Sequence, residues 1–306
     1  MDIGIAGAGG IGSYYAGLLS RAGNRVRLVA RGDHLAAIEA RGLEVRTPTE
    51  TFVVTPDASA DGARLAHCDY VLVAVKGYSL GEIAPVLCAA TKSGAVIVPL
   101  LNGVDVAQRL ETLGVPSGSI IGGLVTASLV RSAPGIVERR SPFDQVVLGE
   151  FDRAPQPRTA RLADALAAAG VAARVSDDII LDLWRKFAFI VPMTVACGMA
   201  LQPVGETLAT DTGRARTVGA LREIVAVSRA IGPSLDDADE ARIRADLFAL
   251  PPAMRPSFLQ DLERGGPTEV DLLAGAVSRL GRESGVATPI HDEAVAAFSR
   301  ATRSSS

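Results

Sequence analysis

Short apolar runs rich in β-branched residues alternate with helical stretches through the first half of the chain. This alternation is typical of a doubly wound α/β domain with a mostly parallel sheet. We expect strands within DIGIAGAG, RVRLVA, YVLVAVK, AVIVPLLNG, SIIGGLVTASLV and QVVLGE. A Pro-containing loop and a helix, FDRAPQPRTARLADALAAAG, should complete this domain.

The pattern changes near residue 176, where the β-rich runs stop and long amphipathic stretches take over. Segments such as TGRARTVGALREIVAVSRAIG and EVDLLAGAVSRLGRESG repeat apolar residues at helical spacing. The sequence therefore predicts two domains, an α/β domain over residues 1–176 and an all-α domain over residues 177–306. The final RSSS is expected to be a frayed tail.

Composition narrows the function classes. The 306 residues are 48% hydrophobic with a formal net charge of −3, which leaves no basic stripe for nucleic acid or for a membrane surface. MDIGIAGAGG begins a strand at once, so no cleavable leader is expected. Widely spaced cysteines and histidines favour reduced cytoplasmic thiols and no metal site. These residues are Cys68, Cys88, Cys197, His34, His67 and His291.

The first predicted strand runs directly into a glycine motif. Gly7, Gly9 and Gly12 follow the spacing G-x-G-x-x-G between a strand and a helix, as in the Rossmann dinucleotide-binding fingerprint. The amides at the helix start, including those of Gly10 and Ile11, should hold the phosphates. A tight turn without a ligand is the alternative.

The end of the second strand indicates which dinucleotide is bound. An acidic residue there would accept the ribose 2′-hydroxyl of NAD, but this chain has Ala30 and Arg31. An arginine suits the 2′-phosphate of NADP, so NADPH is the expected cofactor. Asp33 keeps NAD as an alternative, and a simple surface arginine is another.

A lysine within LWRKFAFIVPM suggests acid–base chemistry. The chain has 31 basic residues, of which only Lys76, Lys92 and Lys186 are lysines. A lysine in an apolar run can give up its proton, which arginine does not do, so Lys186 is the candidate catalytic acid. Alternatively, Lys186 extends its ammonium group to water or pairs with Asp182.

Several motifs together resemble the ketopantoate reductase (2-dehydropantoate 2-reductase) family. They are GAGGIG, VLVAVKGYSL, LLNGV, WRKF and PSFLQDLERGGPTEVDLLAGAVSRLG, in that order over nearly the whole chain. The resemblance implies a Rossmann domain and a helical domain, with NADPH-dependent reduction of a 2-keto acid between them. It also implies a place in pantothenate biosynthesis.

The resemblance also implies roles for individual residues. Lys76 would lie at the adenosine end of the coenzyme, and Asn102 would lie near the nicotinamide and the substrate. Lys186 and Glu269 would serve catalysis, with Glu269 and Ser257 holding the substrate.

Each of these positions has a simpler alternative. Lys76 could be a solubilising residue at a strand end, and Asn102 a turn residue before glycine. Ser257 could cap a helix, and Glu269 could complement a helix dipole.

One departure from the family pattern bears on the substrate. Members of this family usually carry asparagines four and eight residues after the catalytic lysine. In this chain those positions are Ile190 and Thr194. Isoleucine cannot hydrogen-bond a substrate hydroxyl, so Thr194 is the remaining polar candidate for substrate binding. This puts the identity of the substrate in doubt.

The sequence thus predicts an NADPH-dependent reductase of a small keto substrate such as 2-dehydropantoate, with proton transfer from Lys186. One alternative is a reductase of the same fold that acts on another ketone or on an imine. Another is a non-catalytic dinucleotide-binding or redox-sensing protein. The oligomeric state is open, with a homodimer among the alternatives.

Overall fold

The computed structural model describes residues 1–303, so the last three residues of the expected tail lie outside it. The chain divides into two compact units. The first comprises Met1–Leu101 and Val106–Ile179, and the second comprises Asn102–Asp105 and the chain from Ile180 onward. The sequence predicts a single boundary after residue 176, whereas the packing separates the units after Ile179 and assigns a short earlier segment to the second unit.

Strands occur only in the first unit within the described part of the chain. Numbered in chain order, they are β1 (Asp2–Ala6), β2 (Arg25–Val29), β3 (Leu43–Arg46), β4 (Thr51–Val54), β5 (Asp57–Ser59), β6 (Tyr70–Val73), β7 (Val96–Pro99), β8 (Gly122–Thr126), β9 (Leu129–Ala133), β10 (Ile136–Arg139), β11 (Gln145–Gly149) and β12 (Ala172–Val175).

Helices occur in both units. Those that follow strands of the first unit are α1 (Gly10–Arg21), α2 (Gly32–Arg41), α3 (Leu80–Lys92), α4 (Val106–Thr112) and α5 (Pro157–Ala168). The helices of the second unit are α6 (Ile179–Ala200), α7 (Val204–Ala209), α8 (Asp211–Ile231), α9 (Asp237–Phe248), α10 (Ser257–Glu263), α11 (Ala274–Ser284) and α12 (Pro289–Arg303). Short 3₁₀ turns form at Gly62–His67, Gly77–Ser79, Ser117–Ser119 and Val270–Leu272.

The central sheet confirms the predicted α/β fold. Its strand order is β5-β2-β1-β6-β7, and all of its neighbouring strands are parallel. Every residue of β6 and β7 is buried, as expected for strands inside a parallel sheet. The chain order reverses between β1 and β6, and ligands of doubly wound sheets bind beside this switch point at the carboxyl ends of the strands.

Two smaller sheets account for the remaining strands. Their orders are β4-β3-β10-β9 and β12-β11-β8, and both contain antiparallel pairs. The run SIIGGLVTASLV, predicted as one strand region, contains β8 and β9, which belong to different sheets. Hydrophobic pattern alone does not show where a chain changes its pairing partner. The β9–β10 hairpin turns at Gly135, whose φ of +77° favours glycine.

Helix α1 packs against β2 of the central sheet and against β9 and β10 of the second sheet. Its buried face includes Tyr14 and Tyr15, and the Tyr15 hydroxyl donates to Asp144 at 2.7 Å. The hydrophobic core around α1 also contains Ile3 and Ile5 of β1. These contacts hold α1 in place against both sheets.

The second unit has its own core, built around α6 and α8. Trp184 and Phe187 of α6 are buried there, together with Leu221 and Ile224 of α8. Helix formation throughout this unit agrees with the predicted all-α domain. Within residues 1–303, no helix combines the length and apolar character needed to cross a membrane.

Candidate functional site

The turn between β1 and α1 (residues 7–12) is called here the glycine turn. Its glycines are explained by different features of their surroundings. Gly7 adopts φ +105°, and a Cβ there would lie 2.9 Å from the Ala74 carbonyl oxygen. A Cβ on Gly12 would overlap the Gly7 carbonyl oxygen, and one on Gly10 would overlap that of Leu129. These positions require glycine because backbone from other elements approaches closely.

Gly9 differs from these three glycines because space, not backbone, lies beside it. Gly9 is exposed, and the nearest atom to a Cβ there is 4.0 Å away. A bound pyrophosphate would fill this space, which matches the role of the second glycine in dinucleotide-binding turns.

The first turn of α1 offers hydrogen-bond donors to an anion. Gly9 is the N-cap, so the amides of Gly10, Ile11 and Gly12 lack partners within the helix. No acidic residue occupies this first turn. Amides and the helix dipole therefore fit the phosphates of a dinucleotide.

Arg31 lies at the end of β2, where it is the N-cap residue of α2. Its guanidinium Nη1 is 2.5 Å from Oε1 of Glu82, in the first turn of α3. Both side chains are more than half exposed, and exposed pairs of this kind contribute little to stability. Arg31 is therefore available to exchange Glu82 for another anion.

Lys76 follows β6 and precedes a 3₁₀ turn over Gly77–Ser79, to which it is the N-cap. Its carbonyl accepts from the Ser79 amide at 2.8 Å, and its side chain is half-buried. The residue thus lies after the carboxyl end of a central strand, in the region expected from the sequence.

In the second unit, Lys186 is carried by α6 among aromatic residues. Trp184 and Phe187 are buried, and their rings pack edge to face with centroids 5.8 Å apart. Lys186 keeps intermediate exposure, but loss of hydration lowers its pKa from 10.5 to about 8. Asp182, considered as a partner for Lys186, lies 3.9 Å from Arg185 instead.

Asn102 belongs to the short segment, Asn102–Asp105, that packs with the second unit. Gly103 has φ +149°, which accounts for a glycine after Asn102. Asp105 is buried, and its carboxylate accepts a hydrogen bond from Arg279 of α11. This ion pair anchors the segment that carries Asn102.

Thr194 is buried in α6, and its hydroxyl donates to the Ile190 carbonyl at 3.0 Å. The donor capacity of Thr194 is therefore used within the helix, which leaves only acceptor capacity for a ligand. Pro192 lies between the two residues and has no amide to continue the helical hydrogen bonds.

Ser257 and Glu269 lie at the starts of two short elements. Ser257 is exposed and is the first residue of α10, whose N-cap is Pro256. Its hydroxyl is therefore not the helix cap that the sequence offered as an alternative. Glu269 is half-buried and precedes the 3₁₀ turn Val270–Leu272, not an α-helix.

The predicted residues thus fall into two sets. The glycine turn, Arg31 and Lys76 belong to the first unit. Asn102, Lys186, Thr194, Ser257 and Glu269 belong to the second unit. Among the described residues, no cluster of histidine, cysteine or acidic side chains is suited to a metal ion.

Two polar contacts in the first unit were missed by the sequence analysis. Glu82, the partner of Arg31, could have been noticed as an acid in the helix after Lys76. For His34 the sequence analysis considered only metal binding; the residue is buried, and its Nε2 lies 3.0 Å from the Ser13 hydroxyl oxygen. No local sequence pattern signals the latter contact.

Family models match almost the whole chain. Residues 3–153 match the model described as ketopantoate reductase PanE/ApbA, and residues 178–301 match its C-terminal counterpart. The chain is 32% identical to a 2-dehydropantoate 2-reductase from Mesorhizobium japonicum, over 98% of this chain and 97% of that protein.

Solved structures agree with this match. A PanE/ApbA family ketopantoate reductase from Ralstonia eutropha superposes with a TM-score of 0.91 at 31% identity, covering 100% of this chain and 99% of that one. A D-mandelate dehydrogenase in complex with NADH and anilino(oxo)acetate superposes with a TM-score of 0.87 at 25% identity, covering 100% and 99%.

Proposed function

Because the chain belongs to the ketopantoate reductase PanE/ApbA family, we propose that it uses NADPH to reduce a small 2-keto acid to the 2-hydroxy acid. Membership of this family identifies the chain as an oxidoreductase that uses a nicotinamide dinucleotide cofactor. The observation that carries the proposed reaction is Lys186, a lysine on α6 whose pKa is lowered to about 8.

Lys186 is suited to protonate the reacting carbonyl. With a pKa of about 8, its ammonium group is charged at neutral pH and is a stronger acid than an ordinary lysine. The nicotinamide supplies a hydride to the carbonyl carbon when the coenzyme is bound. Lys186 gives its proton to the carbonyl oxygen, and the neutral amine then takes a proton from water.

The preference for NADPH rests on Arg31. No carboxylate occupies the end of β2, and an arginine offers forked donors to a 2′-phosphate. Lys76 would add positive charge at the adenosine end. The structural neighbour in complex with NADH shows that this fold also accepts the coenzyme without the 2′-phosphate. Arg31 is therefore the residue on which the proposed preference for NADPH depends.

Asn102, Ser257 and Glu269, which are predicted site residues of the second unit, are proposed to bind the substrate. Asn102 offers amide donors, and the exposed Ser257 hydroxyl is not used as a helix cap. Glu269 would accept hydrogen bonds from a substrate hydroxyl and orient the substrate for protonation by Lys186.

One observation favours a substrate other than 2-dehydropantoate. Ile190 has no polar atom in its side chain, and the Thr194 hydroxyl donates within α6. Compared with 2-dehydropantoate, a bulkier keto acid with fewer hydroxyl groups would place fewer unpaired substrate hydroxyls beside Ile190. The neighbour that binds anilino(oxo)acetate, an aromatic oxo acid, supports this second candidate.

The test is NADPH oxidation with a panel of 2-keto acids that includes ketopantoate, an aliphatic branched keto acid and an aryl keto acid. Turnover with at least one of them, lost in Lys186→Ala, is the expected result. If none is reduced while NADPH still binds, reduction of a 2-keto acid is refuted, which leaves a reductase of another ketone or of an imine, or a non-catalytic dinucleotide-binding protein. Undiminished turnover by Lys186→Ala would exclude proton donation by this residue.

A further inference from the structure

A buried serine fixes one peptide plane of the glycine turn. The Ser13 hydroxyl in α1 donates to the Ala8 carbonyl at 3.1 Å, and the Ala8–Gly9 peptide is trans. In a planar trans peptide the carbonyl oxygen and the following N–H point in opposite directions. Holding the Ala8 carbonyl toward Ser13 therefore directs the Gly9 N–H away from Ser13.

A buried histidine fixes the serine hydroxyl in turn. His34 in the first turn of α2 is 3% exposed, and its Nδ1 accepts from the Gly135 backbone N–H at 2.8 Å. A neutral ring that accepts at Nδ1 carries its proton on Nε2. That nitrogen lies 3.0 Å from the Ser13 Oγ, so it donates to the hydroxyl.

The three hydrogen bonds form one directed chain. Gly135 donates to His34, His34 donates to Ser13, and Ser13 donates to Ala8. Burial, followed by the positive charge of Arg131, lowers the pKa of His34 to about 4. The ring is therefore neutral near pH 7, as this direction requires.

We propose that His34 is a positioning residue for coenzyme binding: through Ser13 it aims the Gly9 amide at the pyrophosphate. This role rests on the binding of a nicotinamide dinucleotide at the glycine turn and does not depend on which keto acid is reduced. It makes the β9–β10 hairpin, through Gly135, part of the support for the coenzyme site.

The chain offers variants that break single links and a matched control. Ser13→Ala removes the bond to Ala8. His34→Asn keeps an acceptor near the Nδ1 position but loses the donor to Ser13, whereas His34→Gln places an amide donor near the Nε2 position. Ser20→Ala is the control, because Ser20 lies on the same helix and its buried hydroxyl has no partner among the described residues.

Dissociation constants for NADPH and NADH, measured by titration of the whole chain at pH 7, test the proposal. Ser13→Ala and His34→Asn should each raise the dissociation constant by about three- to tenfold, as expected for one lost hydrogen bond. The double variant should bind no more weakly than the weaker single variant, since both changes break one chain. His34→Gln should recover part of the affinity, and Ser20→Ala should match the parent.

A purely structural histidine would give a different pattern. Coenzyme affinity would then follow thermal stability in all variants, or the effects of Ser13→Ala and His34→Asn would add independently. Either result, or parental affinity in Ser13→Ala, would overturn the role of His34 alone. A parent chain that binds neither coenzyme would refute the proposed function, and this positioning role with it.

Discussion

Replacing Lys186 with methionine should stabilise the folded protein while it strongly slows reduction. Methionine is similar in length to lysine but carries no charge to be taken out of water. Burial lowers the pKa of Lys186 from 10.5 to about 8, so the fold disfavours the charged form. A shift of this size corresponds to about 3 kcal/mol of free energy of unfolding, at 1.36 kcal/mol per pH unit.

The pH dependence of this effect has a definite sign. Below about pH 8 the lysine is charged in both the folded and unfolded states, so the full cost of burying the charge is present. Between pH 8 and 10.5 only the unfolded state keeps the proton, and the parent gains stability as the pH rises. The advantage of Lys186→Met should therefore be largest near pH 7 and should shrink toward pH 10.5.

Two measurements on the same preparations test this prediction. Denaturant unfolding at pH 7 and at pH 9.5 gives the difference in stability, and steady-state kinetics gives the loss of kcat. We expect kcat to fall by roughly 10² to 10⁴, the range for a positioned general acid. Lys186→Arg should restore little turnover because its guanidinium does not give up a proton.

A Lys186→Met variant that is less stable than the parent at pH 7 would refute the reasoning about desolvation. It would mean that the ammonium group makes net favourable contacts. An arginine variant that turns over within a few-fold of the parent would refute proton donation and reduce Lys186 to a source of positive charge.

Four further predictions address the coenzyme, the substrate and the fold. NADPH should bind at least tenfold more tightly than NADH, since a charge-assisted pair contributes roughly 1.5 to 3 kcal/mol. In titrations, Arg31→Ala should remove most of this difference in affinity, and equal affinities in the parent would contradict the prediction. Ketopantoate should give kcat/KM below ~10⁵ M⁻¹s⁻¹, and Ile190→Asn should raise it; an efficient parent enzyme would count against the second substrate candidate. Gly9→Ala should weaken coenzyme binding with little change in Tm, whereas Gly12→Ala should lower Tm because its Cβ overlaps a neighbouring carbonyl; the opposite ranking would exclude these separate roles. The pKa of His34, lowered from 6.5 to about 4, means that the unfolded state binds the extra proton between these values; the parent should lose stability from pH 6.5 to 4 in denaturant unfolding, and His34→Asn should flatten that slope.

The sequence predicts the features that depend on local pattern. The glycine turn was identifiable because Gly7, Gly9 and Gly12 lie between an apolar strand and a helix. Lys186 stood out as a lysine in an apolar run. The change from β-rich to helical pattern predicted the two architectures, since the side-chain periods of strands and helices differ.

Features that depend on contacts between residues far apart in the sequence could not be predicted from this pattern. The glycine motif does not reveal that the backbone of Leu129, more than a hundred residues later, fills the space where a Cβ on Gly10 would lie. His34 and Gly135 are joined across a sequence separation of 101 residues. Such pairs depend on how α1 and α2 pack against the β9–β10 hairpin, and the hydrophobic pattern of the sequence does not predict that packing.

The path of the chain through Asn102–Asp105 has a consequence for dissecting this protein. The backbone passes from the first unit into the second and back before it passes over finally at Ile180. A fragment that begins at Ile180 would therefore lack both Asn102 and the carboxylate that pairs with Arg279. Conversely, a protease cut at Ile179–Ile180 would leave Asn102–Asp105 on the first fragment, although this segment packs with the second unit, so no single cut there yields two fragments that each carry one complete unit.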